Sequence, residues 1–183
     1  MGGWLLNGTT LSGTQSLGTV AMDDWHLEGS RQYTWGTCEE DLPGLCSKQL
    51  TLSGNTLLIH VVNTSPVANG GFLTADAFDL GPDVQVTAFT QLTGPPNFSL
   101  TKGPIDTSPF GTRQWVIALS NQWQEGGTAS EGIGVRDSAT FQLTLSGKGV
   151  GALRAEDILE SQVMRFHGFL NEDDHDKDRV ELQ

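Results

Sequence analysis

The chain has few charged residues, few cysteines and no long apolar segment. Only 17% of its 183 residues are charged, and 22 acidic residues against 10 basic ones give a formal net charge of −12. Because an acidic chain repels phosphate backbones and anionic lipid headgroups, this composition argues against nucleic acid or a membrane surface as a partner. No segment approaches the roughly 18 apolar residues of a membrane-spanning helix, so we predict no transmembrane segment.

Common enzyme motifs are also missing. The sequence has no Gly-x-Ser-x-Gly, P-loop, Gly-x-Gly-x-x-Gly or His-Glu-x-x-His pattern. Acidic pairs such as Asp76 with Asp79 could serve glycoside hydrolysis, but the sequence does not fix the carboxylate separation that this chemistry needs. We therefore expect a non-catalytic protein, with a glycan-active hydrolase as the weaker alternative.

What the chain has in abundance is glycine, with 23 residues, together with threonine and serine. This bias is typical of short strands joined by tight turns. The clearest strand is 140–146, in which Phe141, Leu143 and Leu145 alternate with polar residues. Residues 56–63 predict a second strand, which is apolar on both sides and is therefore expected to be central and buried on both faces.

These patterns predict an all-β fold, an antiparallel β-sandwich of jelly-roll or immunoglobulin-like type. One short helix is expected near 153–160, and the strand at 163–169 is expected to be the last. Residues 97–135 predict the least regular part of the fold. The length suits a single domain over residues 1–170, followed by an acidic C-terminal tail over 171–183.

The strand predicted at 72–80 carries two carboxylates, Asp76 and Asp79. In a regular strand they lie on opposite faces, so one of them should be exposed at an edge or neutralised by a partner such as a bound cation.

Four aromatic residues are candidates for binding a ligand. Trp25, Tyr33 and Trp35 fall within eleven positions beside acidic residues, and Trp123 begins a polar, glycine-rich loop. Flat rings of this kind can stack on the apolar faces of sugars. The alternative is that the first three rings fill the core and its end, and that the loop of Trp123 only connects two strands.

The two cysteines, Cys38 and Cys46, have seven residues between them, including the turn residues Pro43 and Gly44. This spacing predicts a disulfide that closes a small polar loop. A pair of thiols in a reducing compartment is the alternative.

The tail is the most charged part of the chain. Asp174, Asp176 and Asp178 have the alternating spacing with which calcium loops place oxygens around a cation, which makes Ca²⁺ the one cofactor to consider. The glycine and the final glutamate of that motif are missing. A solvated tail is therefore the alternative reading.

Two groups of segments resemble a family. Residues 55–65 end in Asn-Thr-Ser and precede a phenylalanine–aspartate strand at 71–80, while 139–145, 153–157 and 165–169 are similar to the closing strands of the same domains. This arrangement resembles bacterial exported proteins of the PEP-CTERM-sorted type. The resemblance implies an export route, a β-sandwich and a surface or matrix setting.

We therefore expect an extracellular, cell-surface or periplasmic β-sandwich that acts as a structural or interaction subunit with protein partners in a larger assembly. A carbohydrate-binding module that uses the exposed aromatic residues to hold a glycan is the second expectation. Residues 1–6 lack the charged start and apolar run of a signal peptide, so we expect a mature or trimmed chain.

Overall fold

The computed structural model describes residues 29–34, 46–108, 110–119, 123, 128–170 and 179–182. One six-residue helix, α1 (Ala155–Glu160), lies in these ranges, with short 3-10 turns at Ala129–Glu131 and Val150–Ala152. No described helix has the length and apolar character needed to cross a membrane. The ten described strands are β1 (Gly29–Thr34), β2 (Cys46–Ser53), β3 (Thr56–Asn63), β4 (Gly70–Phe78), β5 (Gln85–Thr93), β6 (Ser99–Asp106), β7 (Thr112–Ala118), β8 (Ser138–Ser146), β9 (Val163–Phe169) and β10 (Arg179–Leu182).

The strands form two five-stranded antiparallel sheets. Sheet A has the order β1-β2-β3-β8-β5, and sheet B has the order β10-β9-β4-β7-β6. The inner faces of both sheets contribute to one apolar core, with Ile59 and Phe141 from sheet A and Ile117 and Phe166 from sheet B. The predicted all-β sandwich is therefore confirmed, as is the short helix.

The middle of sheet A is formed by β3 and β8, the two strands with the clearest sequence patterns. Ile59 lies opposite Phe141 and Leu57 opposite Leu143, and all four side chains are buried. The prediction that β3 is buried on both faces is wrong. Its outward residues, among them His60, are only half-buried, because no second layer of described residues covers them. His60 Nδ1 lies 2.9 Å from Thr140 Oγ1, an ordinary hydrogen bond across the outer surface.

Glycine is required at the turn that follows β8. Gly147 has a φ of +116°, and a Cβ at this position would lie 2.0 Å from the backbone oxygen of Asp83. Only a residue without a side chain fits so close an approach between the β8 turn and the start of β5.

Strands β6 and β10 depart from the sequence prediction. β6 forms within the segment that was expected to be irregular, because Pro104 is tolerated at a sheet edge, where its missing N–H breaks no ladder. β10 pairs with β9, so β9 is not the last strand, and residues 179–182 of the predicted tail belong to sheet B. Residues 163–169 nevertheless form a strand, as predicted.

A short polar turn ends β6 and gives a pH-dependent prediction. Asp106 Oδ1 accepts hydrogen bonds from the Ser108 hydroxyl at 2.6 Å and from the Ser108 backbone N–H at 2.9 Å. These donors favour the ionised carboxylate and hold the pKa of Asp106 below its ordinary value, the hydroxyl contributing most. We expect Ser108→Ala to raise the pKa of Asp106 toward that value, as followed by NMR titration of the carboxyl carbon. An unchanged pKa would contradict this assignment.

Candidate functional site

A bulge in β4 decides which of its side chains point into the core. The register of β4 against β9 shifts between Leu73 and Ala75, so Thr74 is an extra residue in the strand. A bulge changes the phase of the alternation, and Leu73 and Phe78, five residues apart, both belong to the main core. Asp76, two residues before Phe78, therefore also points inward and is 1% exposed.

A lysine from the other sheet meets this aspartate. Lys48 lies on the inner face of β2, in line with the buried residues Cys46 and Leu50. Its Nζ is 2.7 Å from Asp76 Oδ2, and the side chains of Lys48 and Asp76 are 0% and 2% exposed. This contact connects sheet A to sheet B inside the sandwich.

Two more residues complete what we name the Lys48–Asp76 cluster, consisting of Lys48, Asp76, Gln162 and Phe78. Gln162 is fully buried between α1 and β9, and its Nε2 donates a hydrogen bond to Asp76 Oδ1 at 3.0 Å. The Phe78 ring centroid lies 5.3 Å from Lys48 Nζ, a distance at which the ring face attracts a cation. Each oxygen of the carboxylate thus has a protein donor.

A sulfur contact lies beside the cluster. Cys46, two residues before Lys48, has its thiol 2.8 Å from Met164 Sδ, and both residues are buried. Met164 lies opposite Asp76 in the register of β9 against β4. Cys46 and Lys48, two successive inward residues of β2, therefore contact two adjacent strands of sheet B, β9 and β4. These contacts fix the alignment of the two sheets.

The cluster has an unusual electrostatic setting. Both ions have lost their water, and such a loss is recovered only when the pair has good geometry and its remaining polar atoms find partners. The Asp76 oxygens meet that requirement, whereas Gln162 Oε1 is buried with no hydrogen-bond partner among the described residues. An unpartnered buried acceptor is costly, so this atom sets the cluster apart from an ordinary buried ion pair.

Asp76 is therefore neutralised by a protein cation, whereas Asp79 is half-buried and held by a hydrogen bond from a neutral group. Asp76 is buried rather than exposed, and its partner is Lys48. Asp79, just after the strand, accepts a hydrogen bond from the backbone N–H of Gln114 at 2.6 Å, which ties the end of β4 to β7. Sequence reasoning foresaw that one carboxylate needs a partner but did not identify it, and it overlooked Lys48 and Gln162. The available signal was the place of Lys48 in the alternation of Leu50 and Leu52.

Trp123 requires a correction. It was predicted as an exposed stacking surface, but it is only 4% exposed, and it packs on the outer face of sheet B against small residues of β4 and β7 such as Ala77 and Ala118. Arg165, also on that face, donates a hydrogen bond to the Trp123 backbone oxygen. The ring packs on the outer face of sheet B and is too buried to stack on a sugar.

The other predicted site residues fall outside the described ranges or are described only in part. Tyr33 is in β1, where the backbone alone is described and lies opposite Lys48 in register. Within the described ranges no group of three or more histidine, cysteine or acidic residues is placed to hold a metal ion. The stacking role of the first three aromatics, the Cys38–Cys46 disulfide and the Ca²⁺ loop stay predictions. The residues outside the described ranges are Trp25, Trp35, Cys38, Asp174, Asp176 and Asp178.

The free edge of β5 is the second candidate site, as an interaction surface. Among the described residues β5 pairs only with β8 and forms one border of sheet A. Its outward side chains Ala88, Thr90 and Leu92 are exposed, and Leu92 is one of three large apolar residues exposed in the described structure. An uncharged edge of nine residues is a template for a further strand.

Comparison with known proteins adds no relative: no family model, no curated protein and no solved structure matches this chain.

Proposed function

We propose that this protein is a non-catalytic extracellular β-sandwich that acts as a structural and interaction subunit, and that it associates with a second copy of itself through the edge of β5. The observation that carries this proposal is the contrast between β5 and the other edge strands. The export route and surface setting implied by the resemblance to PEP-CTERM-sorted proteins belong to the same proposal.

Edge strands normally carry features that prevent pairing with another chain, such as charge, proline and bulges. β6 has Lys102 and Pro104 together with a register shift, β1 has Arg31, and β10 has Arg179. β5 has neither a charged residue nor a proline. It does have two register shifts against β8, which bend the strand, and Lys102 Nζ of β6 donates a hydrogen bond to Gln85 Oε1 at its first residue, so the uncharged part of the edge is the stretch 86–93.

The absence of charge favours a second copy as the partner. Two chains that each carry a net charge of −12 repel one another, so they approach best where a surface has no carboxylates. An antiparallel strand pair about a two-fold axis brings each side chain close to its equivalents, which an uncharged strand tolerates. Pairing of two β5 strands would join two copies of sheet A into one continuous sheet.

The acidic composition and the lack of enzyme motifs support a non-catalytic role outside the cell as part of an assembly. Repeated use of one edge yields a dimer, and further growth would need a second surface. The β5 edge therefore accounts for the first step of association.

The test is the oligomeric state of the purified full chain, measured by sedimentation velocity over a range of concentrations. We expect a dimer for the natural sequence and a monomer for the Thr90→Lys, Leu92→Lys double variant. Four added ammonium groups at the shared edge repel one another and cannot be buried there.

The matched control is Gln142→Lys. Gln142 is the register partner of Thr90 on β8 and lies one strand further from the edge, so this variant adds charge to the same sheet without reaching the strand pair. We expect it to remain a dimer. A natural chain that is monomeric at every concentration, or a double variant that dimerises normally, would overturn the proposal.

A further inference from the structure

We propose that Lys48 and Asp76 become joined by an intramolecular amide bond, which links β2 of sheet A covalently to β4 of sheet B. The inference rests on the Lys48–Asp76 cluster and does not depend on how the protein associates. It turns a buried ion pair into a cross-link of the sandwich.

The reacting groups are already in contact. Lys48 Nζ is 2.7 Å from Asp76 Oδ2, and each residue is held by a strand in the interior of its sheet. Folding has already removed the translational and rotational freedom of the two groups, an effect that reaches effective concentrations of about 10⁵–10⁸ M when the attacking atom is aligned on the carbonyl carbon. The amine and the carboxyl group therefore need no separate binding step.

The surroundings also favour the neutral product. Both side chains are shielded from water, and the Phe78 ring covers the ammonium group. An amide bond replaces two buried charges by one polar group that needs only hydrogen bonds, which removes the desolvation cost of the ions. The reaction releases one water molecule. Because the site excludes water, little water is available there to hydrolyse the amide bond once that molecule has left.

All the bonds that form and break in this reaction belong to Lys48 and Asp76. The Lys48 ammonium group gives one proton to Asp76 Oδ2, and the resulting amine attacks Asp76 Cγ, forming the Nζ–Cγ bond and placing negative charge on Oδ1. A second proton passes from Nζ to Oδ2, the Cγ–Oδ2 bond breaks, and Oδ2 leaves as water. The product keeps one hydrogen on Nζ and the Oδ1 carbonyl, with no oxidant or further reactant.

Gln162 is the positioning residue. Its Nε2 donates to Oδ1 at 3.0 Å, so it stands where charge develops during the attack, as an oxyanion hole does. Its Oε1 has no partner among the described residues in the ion-paired form. The Lys48 ammonium group donates no hydrogen bond to this oxygen, so the positioning role of Gln162 rests on its Nε2.

The experiment is the intact mass of the full chain, unfolded and reduced after purification. We expect the mass to be lower than that of the sequence by one water molecule, and reduction removes any contribution from a disulfide. Protease digestion should release a branched peptide that joins a β2 segment to a β4 segment, identified by fragmentation.

Two variants define the chemistry. Lys48→Arg keeps a cation beside Asp76 but offers no amine, so we expect the full mass of its sequence. In Gln162→Met, which removes the donor to Oδ1, we expect the water loss to proceed several-fold more slowly in the folded protein. Should Lys48→Arg fail to fold, the branched peptide of the natural chain decides alone.

Full mass and only linear peptides after prolonged incubation of the folded natural chain would overturn the proposal. So would a water loss that persists in Lys48→Arg, since the water would then come from another site.

Discussion

Relative to the protein in its ion-paired form, replacing Lys48 by methionine is expected to be destabilising by about 3–5 kcal/mol or more, because the change leaves the Asp76 carboxylate in the core without its cation. Methionine fills a similar volume to the lysine stem, so the loss reports mainly the stranded charge. The free energy of unfolding from denaturant titration measures it. Lys48 is fully buried, which means that water cannot replace the missing partner.

The matched control is the Lys48→Met, Asp76→Leu double variant. It buries neither charge, and replacement of a buried ion pair by apolar residues is often neutral or stabilising relative to the intact pair, whereas removal of one partner is strongly destabilising. We expect the double variant to be more stable than Lys48→Met alone. Equal stability of the two would mean that the unpaired carboxylate is not what destabilises the single variant.

Leu143→Asp is expected to prevent folding. Leu143 is 0% exposed in β8, lies opposite Leu57 on one side and Phe89 on the other, and belongs to the main apolar core. The uncompensated charge adds to a lost leucine that is itself worth about 2–5 kcal/mol, and together they approach the whole stability of a typical domain. Far-UV circular dichroism and the denaturation profile measure the loss.

Gln142→Asp adds the same charge one residue away on the same strand. Because successive side chains of a strand point to opposite faces, this carboxylate lies on the half-buried outer face of sheet A. We expect this variant to fold with little change. A folded Leu143→Asp protein with a normal denaturation midpoint would show that the inner face of β8 is not the core that its burial indicates.

The fold was predictable where the alternation of residues is regular. β8 and β3 obey the period of two, and the structure pairs them directly in the middle of sheet A. The short helix-compatible piece at 153–160 predicted the helix α1, which the structure gives as Ala155–Glu160. β6 was missed because Pro104 argues against a strand unless the strand is known to be at an edge, which only the tertiary structure reveals.

The candidate site was less predictable for a different reason. Whether Asp76 points inward depends on the bulge at Thr74, and nothing in the local sequence specifies that one residue is added to the strand there. The partner Lys48 is 28 positions away, and Gln162 is 86 positions away. A sequence pattern can indicate that a buried carboxylate needs a cation. Which residue supplies that cation depends on how strands that are distant in sequence meet in the fold. Trp123 was misjudged likewise, because its cover of sheet B is a long-range contact.

The two sheets differ in how freely their sequences can diverge. In sheet A the outward positions of β3 and β8 are half-exposed, so every second residue can change with little effect on packing. In sheet B the outer face is covered by Trp123, and Ala75, Ala77 and Ala118 have no room for larger side chains beneath it. Among related chains, the amino acids of sheet A should therefore vary mainly at every second position. Those of β4 and of the end of β7 should vary little at any position.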